Sequence, residues 1–91
     1  MEPVCVTYDT LGDSVYVDLY VGVQEDELPR RHHSREIDFH RHLEFDKDDR
    51  LLGINFLVAS RGIDLRGVPE AERIAAGLEQ LRNTLGLVLV S

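Results

Sequence analysis

His40 and His42 are the residues whose type and spacing come nearest to a chemical centre. Residues two apart on a β-strand project to one face about 7 Å apart, near enough for two imidazoles to reach one metal ion. Asp38 and Glu44 extend the same row, and Asp18 stands on a strand that could lie beside it. A hard or borderline divalent metal accepts such a nitrogen and oxygen set. The same residues also compose the solvent face of a half-buried strand, where Asp, His and Glu are expected. Without a located third ligand, the solvent-face reading is preferred, and no cofactor is assigned.

Other arrangements offer less. Arg30, Arg31, His32, His33 and Arg35 form a basic spot that gains charge below pH ~6.5 and could dock an acidic partner or a phosphate. A solvated loop, balanced by Glu25-Asp26-Glu27, is the preferred account of it. Asp46-Lys47-Asp48-Asp49 faintly suggests a calcium loop. Its sixth place is Leu51 where Gly is needed, and its twelfth is Leu57 rather than Glu, so a charged turn is expected. Ser14, Ser34 and Ser60 lack the Gly-x-Ser-x-Gly context. Cys5 has no basic neighbour in sequence to lower its pKa. No glycine-rich phosphate loop occurs, and no catalytic residue is assigned.

Composition narrows the classes further. The 91 residues suit a single domain, and 43% hydrophobic with 30% charged residues describes a water-soluble globular chain. Seventeen acids against ten bases give a net charge of -7, which argues against a nucleic-acid surface. Tyr8, Tyr16 and Tyr20 accordingly read as strand packing residues rather than a stacking platform. One cysteine cannot form an internal disulfide. No signal peptide is visible at Met1-Glu2-Pro3-Val4, and no run approaches the roughly 20 apolar residues of a membrane span. The expected location is cytoplasmic.

The elements that must position these residues follow from periodicity. Val15, Val17, Leu19 and Val21 fall on one face, with Tyr16, Asp18 and Tyr20 on the other, as in a half-buried strand. Val4, Val6 and Tyr8 alternate likewise, and Asp9 to Asp13 supply a turn, so a hairpin is predicted. Gly22 to Arg35 reads as a loop. From Glu36 a strand is expected to run to Phe45, with Ile37, Phe39, Leu43 and Phe45 on its apolar parity. Arg41 spoils that parity, which a bulge or an Arg reaching past the sheet edge would explain. After the acidic turn, Leu52, Ile54, Phe56 and Val58 form another apolar row. Leu51 and Leu57 on the opposite parity make that strand central, or covered by a partner.

The period then changes. Pro69 with Glu70 and Glu72 reads as a helix start, and Ile74, Leu78, Leu81 and Leu85 form one stripe ending at Gly86. Gly77 weakens that helix by roughly 1 kcal/mol relative to Ala. The apolar tail Leu87-Val88-Leu89-Val90 is expected to add a strand to this sheet or to another subunit's.

Two stretches carry a family resemblance. Tyr8-Asp9 followed by Asp13-Ser14-Val15-Tyr16-Val17-Asp18-Leu19 resembles the opening hairpin of the domain of unknown function 2283 family. Leu43 to Leu57, an acidic turn leading into Gly53-Ile54, is similar to its other signature, and Arg61 to Glu70 to the tail of some bacterial members. The resemblance covers about two-thirds of the chain and implies a small bacterial cytoplasmic α+β protein without established activity, cofactor or catalytic residue. Some members sit beside small toxin genes, which implies an antitoxin-like role by association. Asp49 stands where that turn commonly has Gly, and Asn55 where the strand commonly carries Glu.

The expected fold is therefore α+β, an antiparallel sheet of about four strands with the Pro69 to Leu85 helix on its apolar face. A homodimer is expected, because Leu51, Leu57 and the tail offer more apolar surface than one helix covers. The functional expectation is a non-enzymatic, self-associating interaction domain with a possible protein partner, binding neither nucleic acid nor membrane. The alternative is a metal-binding or metal-assisted hydrolytic protein using His40 and His42.

Overall fold

The computed structural model describes residues 4–19 and 33–90, apart from the side chains of residues 80 and 85. Among these residues seven strands and one α-helix follow in order: β1 (Cys5–Asp9), β2 (Ser14–Asp18), β3 (His33–Asp38), β4 (Arg41–Phe45), β5 (Leu51–Leu57), β6 (Ile63–Asp64), α1 (Ala71–Leu85) and β7 (Leu89–Val90). The first five form one antiparallel sheet in the order β1-β2-β5-β4-β3, and β6 pairs with β7 in parallel. The fold is small α+β as expected, with five strands rather than four.

The fifth strand comes from a turn that alternation concealed. The segment read as one strand from Glu36 to Phe45 is a hairpin, with Phe39 and His40 at its tip. The Asp38 carboxylate accepts the His40 backbone N–H at 2.9 Å, which turns the chain without Gly or Pro. A register shift lies between Glu36 and Asp38, so Arg41 opens β4 opposite Phe56. Both readings of Arg41 therefore hold: the ladder is bulged, and the side chain reaches beyond the sheet.

Burial follows the period-two pattern. Val15 and Val17 of β2, Leu43 of β4, and Ile54 and Phe56 of β5 face one core with Ile74 and Leu78 of α1. Fully burying each of these large side chains contributes about 1.5–3 kcal/mol. Strand β5 is central, between β2 and β4. Val21, Tyr20, most of the predicted 22–35 loop and its acidic run lie outside the described residues, while His33 to Arg35 belong to β3.

The helix begins two residues later than the Pro69 start predicted. Glu70 has φ 55° and stays outside it, while its carbonyl accepts the Ile74 N–H at 3.0 Å. Gly86, at φ 68°, closes it in the left-handed conformation expected. Arg73 donates to the Leu19 carbonyl at 2.6 Å and fastens the helix to the end of β2.

Gly77 is explained by close approach. A methyl there would land on Val4 Cγ2, so its absence lets α1 settle against the segment leading into β1. Gly77→Ala is accordingly expected to destabilise, although helix propensity alone favours Ala by about 1 kcal/mol. Adding Val4→Ala should recover much of the loss, as read by paired thermal melts.

The acidic turn is built around Asp46, whose residue surface is only 2% exposed. Its carboxylate accepts the backbone N–H groups of Asp48 and Arg50 and the Arg50 Nε at 2.8, 2.9 and 2.7 Å. Asp49 takes φ 61°, a conformation Asp tolerates better than most residues, and meets His33 Nε2 at 3.0 Å.

Candidate functional site

The end of the sheet where β5 leaves it carries a cavity of about 250 Å³. It is lined by charged and polar residues of the β3–β4 turn, the 3-10 turn Ala59–Arg61 and β6, and by apolar residues at the end of β5. Three segments distant in sequence meet here because β4 and β5 pair directly and the chain then folds back as β6. The His40 carbonyl accepts the Leu57 N–H at 2.8 Å, which holds the hairpin tip against the end of β5.

The backbone turns sharply at this point. Val58 has φ 54° and ψ 48°, a left-handed conformation that β-branched residues rarely adopt, and Gly62 follows at φ 118°. Asp13, in the β1–β2 turn, stabilises the excursion. Its backbone carbonyl accepts the Ala59 N–H, and its carboxylate accepts the Ser60 N–H, the Ser60 hydroxyl and the Tyr8 hydroxyl.

Arg41 ties the site together. Its Nε and one terminal nitrogen donate to Asp38 Oδ2 at 3.0 and 2.8 Å. The other terminal nitrogen donates to the carbonyls of Asp64, at 3.3 Å, and Arg66. Asp64 is in turn held by Arg66, whose Nε and terminal nitrogen each donate at 2.9 Å.

These contacts decide the ionisation of the acids. The Ser60 hydroxyl bonded to Asp13, the Arg41 guanidinium on Asp38 and the Arg66 guanidinium on Asp64 hold all three carboxyls below their ordinary 3.8. At Asp46 burial acts in the opposite direction, but the Arg50 and Asp48 N–H groups and the Arg50 guanidinium outweigh it, and its carboxyl is lowered too. A carboxyl lowered on folding contributes stability above its unfolded pKa and loses it as pH falls through the folded value. The melting temperature should therefore stay level from neutrality to about pH 5 and fall steeply below about pH 4. Asp13→Asn should make that acid limb shallower, as read by melts across the range.

The residues singled out by their chemistry do not converge. His40 lies at the hairpin tip, its ring edge-on to Phe39 at 5.2 Å, whereas His42 lies on β4. The expected pair of imidazoles on one face of one strand is thus not the arrangement the chain adopts. His42 Nε2 sits 3.1 Å from the Phe39 carbonyl and 3.5 Å from Glu36 Oε1. Asp38 is engaged by Arg41, and Glu44 is buried on β4 opposite Gly53. Asp18 pairs with the same glycine from the other side, so β5 separates it from Glu44. Among the described residues, no three His, Cys, Asp or Glu side chains gather as metal ligands do.

Of the basic spot, His33 stacks on Phe45 at 5.2 Å and Arg35 lies over the same ring at 5.4 Å. Arg30, Arg31 and His32 lie outside the described residues. Sequence reasoning missed Arg61 and Asp64 altogether. The available signal was Arg41, a cation on an apolar parity that needed acceptors from somewhere else in the chain.

No family model matches the chain, and comparisons with curated proteins and with solved structures found no match. No helix among the described residues is long and apolar enough to cross a membrane.

Proposed function

We propose that this chain is a non-enzymatic interaction domain that self-associates as a homodimer and takes a protein partner at the end of the sheet where β5 leaves it. One observation carries the reading. The large hydrophobic side chains exposed among the described residues, Leu11, Phe39, Val88 and Val90, all belong to segments joined at or next to that end. Leu11 tips the β1–β2 turn, which Asp13 bonds to the 3-10 turn. Phe39 tips the β3–β4 turn, and the Val88 carbonyl accepts the Ile63 N–H at 2.7 Å. Exposed apolar side chains bordered by polar and charged ones mark protein-binding surfaces.

The strand β7 gives self-association a route. Leu87 and Leu89 pack inward while Val88 and Val90 face outward, and among the described residues β6 is the one strand that pairs with β7. An exposed strand edge with apolar neighbours favours pairing with another copy. The acids nearby are ionised and already engaged by Arg side chains, which suits recognition better than proton transfer near neutral pH. The antitoxin-like role that the family resemblance suggests is one form of this reading, and it predicts a small toxin gene beside the chain's own.

Sedimentation velocity tests the proposal. Wild type should sediment as a dimer, and Val88→Asp with Val90→Asp should sediment as a monomer with unchanged circular dichroism. Substitution is preferable to removing the tail, because Leu87 belongs to the core. A wild type that stays monomeric up to millimolar concentration overturns the self-association.

A further inference from the structure

The lining of the cavity at the end of β5 has an uneven polar account. Asp38 Oδ1 accepts the His40 N–H and Oδ2 accepts two Arg41 nitrogens. Asp64 Oδ1 accepts the Arg66 N–H and Nε, and Oδ2 a terminal nitrogen of Arg66. Arg41 spends its remaining nitrogen on two backbone carbonyls. Asp13, whose charge lies near Arg61, directs its oxygens to Ser60 and Tyr8. Every one of these carboxylate oxygens is thus already engaged by a donor. Among the described residues, the Arg61 guanidinium and the His40 ring make no hydrogen bond, and both line the cavity.

A guanidinium presents five N–H donors in a planar fork that matches an oxyanion in two-point fashion. These two donors call for an acceptor, and an anionic one gains most. Phe56, Leu57 and Val58 supply the apolar remainder of the lining. The volume falls a little below the roughly 300–1,000 Å³ typical of sites for drug-sized ligands, which limits the occupant to a small group.

We infer that this cavity is a binding site for a carboxylate carried on a small apolar body, with Arg61 clasping the carboxylate, His40 beside it and Leu57 and Val58 alongside the apolar part. Such a group is supplied either by a free organic acid of about benzoate size or by the terminal carboxylate of a peptide ending in an aromatic residue. The inference stands whether or not the chain self-associates, since it rests on the donors and the walls of the cavity.

Amide NMR titration of the full chain decides the matter. Benzoate is expected to move the signals of Arg61, Gly62 and His40 saturably, and acetate and inorganic phosphate, which lack the apolar body, to bind much more weakly. A peptide ending in free phenylalanine should compete with benzoate, and its amidated form should not. Whichever of benzoate and the free-ended peptide binds more tightly identifies the source. Arg61→Ala should weaken binding by about tenfold or more, and Arg61→Lys by less, because lysine keeps the charge without the fork. Arg61 makes no side-chain bond among the described residues, so both variants should melt close to wild type. Saturable shifts from neither benzoate nor the free-ended peptide overturn the inference, as does undiminished binding by a folded Arg61→Ala variant.

Discussion

Gly53→Ala is expected to lower the melting temperature by about 10 °C or more, corresponding to roughly 2–3 kcal/mol. Gly53 lies in β5 between Asp18 of β2 and Glu44 of β4, at the middle of the sheet. The Tyr16 ring covers it. A methyl placed there would meet the Tyr16 hydroxyl, and would stand 2.5 Å from the Val17 carbonyl oxygen and 2.7 Å from Tyr16 Cζ. The ring can swing away, but the carbonyl belongs to the ladder and cannot. Adding Tyr16→Ala should therefore return only the part of the loss owed to the ring. Thermal melts of both single variants and the double variant separate the two contributions. A Gly53→Ala protein that melts within about 2 °C of wild type contradicts this packing.

Arg41→Ala is expected to cost a comparable amount, about 2–3 kcal/mol, for a different reason. The side chain is only 11% exposed and serves Asp38 and two backbone carbonyls of the β6 segment at once. Removing it leaves those acceptors partly desolvated without a donor, which is costlier than losing a surface ion pair. Arg41→Lys should recover less than half of the loss, since one ammonium cannot span the three acceptors. The effect should also be local. Hydrogen exchange should quicken first at the amides of Leu57 and Ile63, which bond to His40 and Val88, and later in α1. Arg41→Lys indistinguishable from wild type would show that charge alone suffices.

What the sequence revealed depended on how local the determining interactions are. The alternation of Val15, Val17 and Leu19 and the helical spacing of Ile74 and Leu78 reflect burial on one face, and each of these side chains is in the core. Gly86 was readable because a left-handed cap favours glycine. The β3–β4 hairpin was not readable by period, since alternation continues across Phe39 and His40. Its local signal was Asp38, whose side chain takes the place of a turn-forming Gly or Pro. Glu70 and Val58 adopt left-handed backbone despite side chains that disfavour it, so tertiary contacts overrule local preference there.

The cavity was less legible still. It forms where residues 38–41, 56–58 and 61–64 meet, and no sequence period relates these segments. The exposed Phe39 is equally hard to anticipate, because it looks like an ordinary member of apolar alternation, whereas Leu11 lies in the turn read from Asp9 to Asp13. The short ladder of β6 and β7 has two residues on each strand, too few to give a pattern. The tail itself was foreseen to form a strand, and it does so beside β6 rather than in the main sheet.

Self-association is proposed to run through β7 and the exposed apolar side chains at the end of the sheet where β5 leaves it. Amide NMR spectra recorded from micromolar to millimolar concentration read this association residue by residue. The predicted result is concentration-dependent shift or broadening at Leu11, Phe39, Val88 and Val90, with the outer surface of α1 at Glu72 and Arg82 unchanged. Spectra that are identical throughout, or that change along α1 instead, would contradict it.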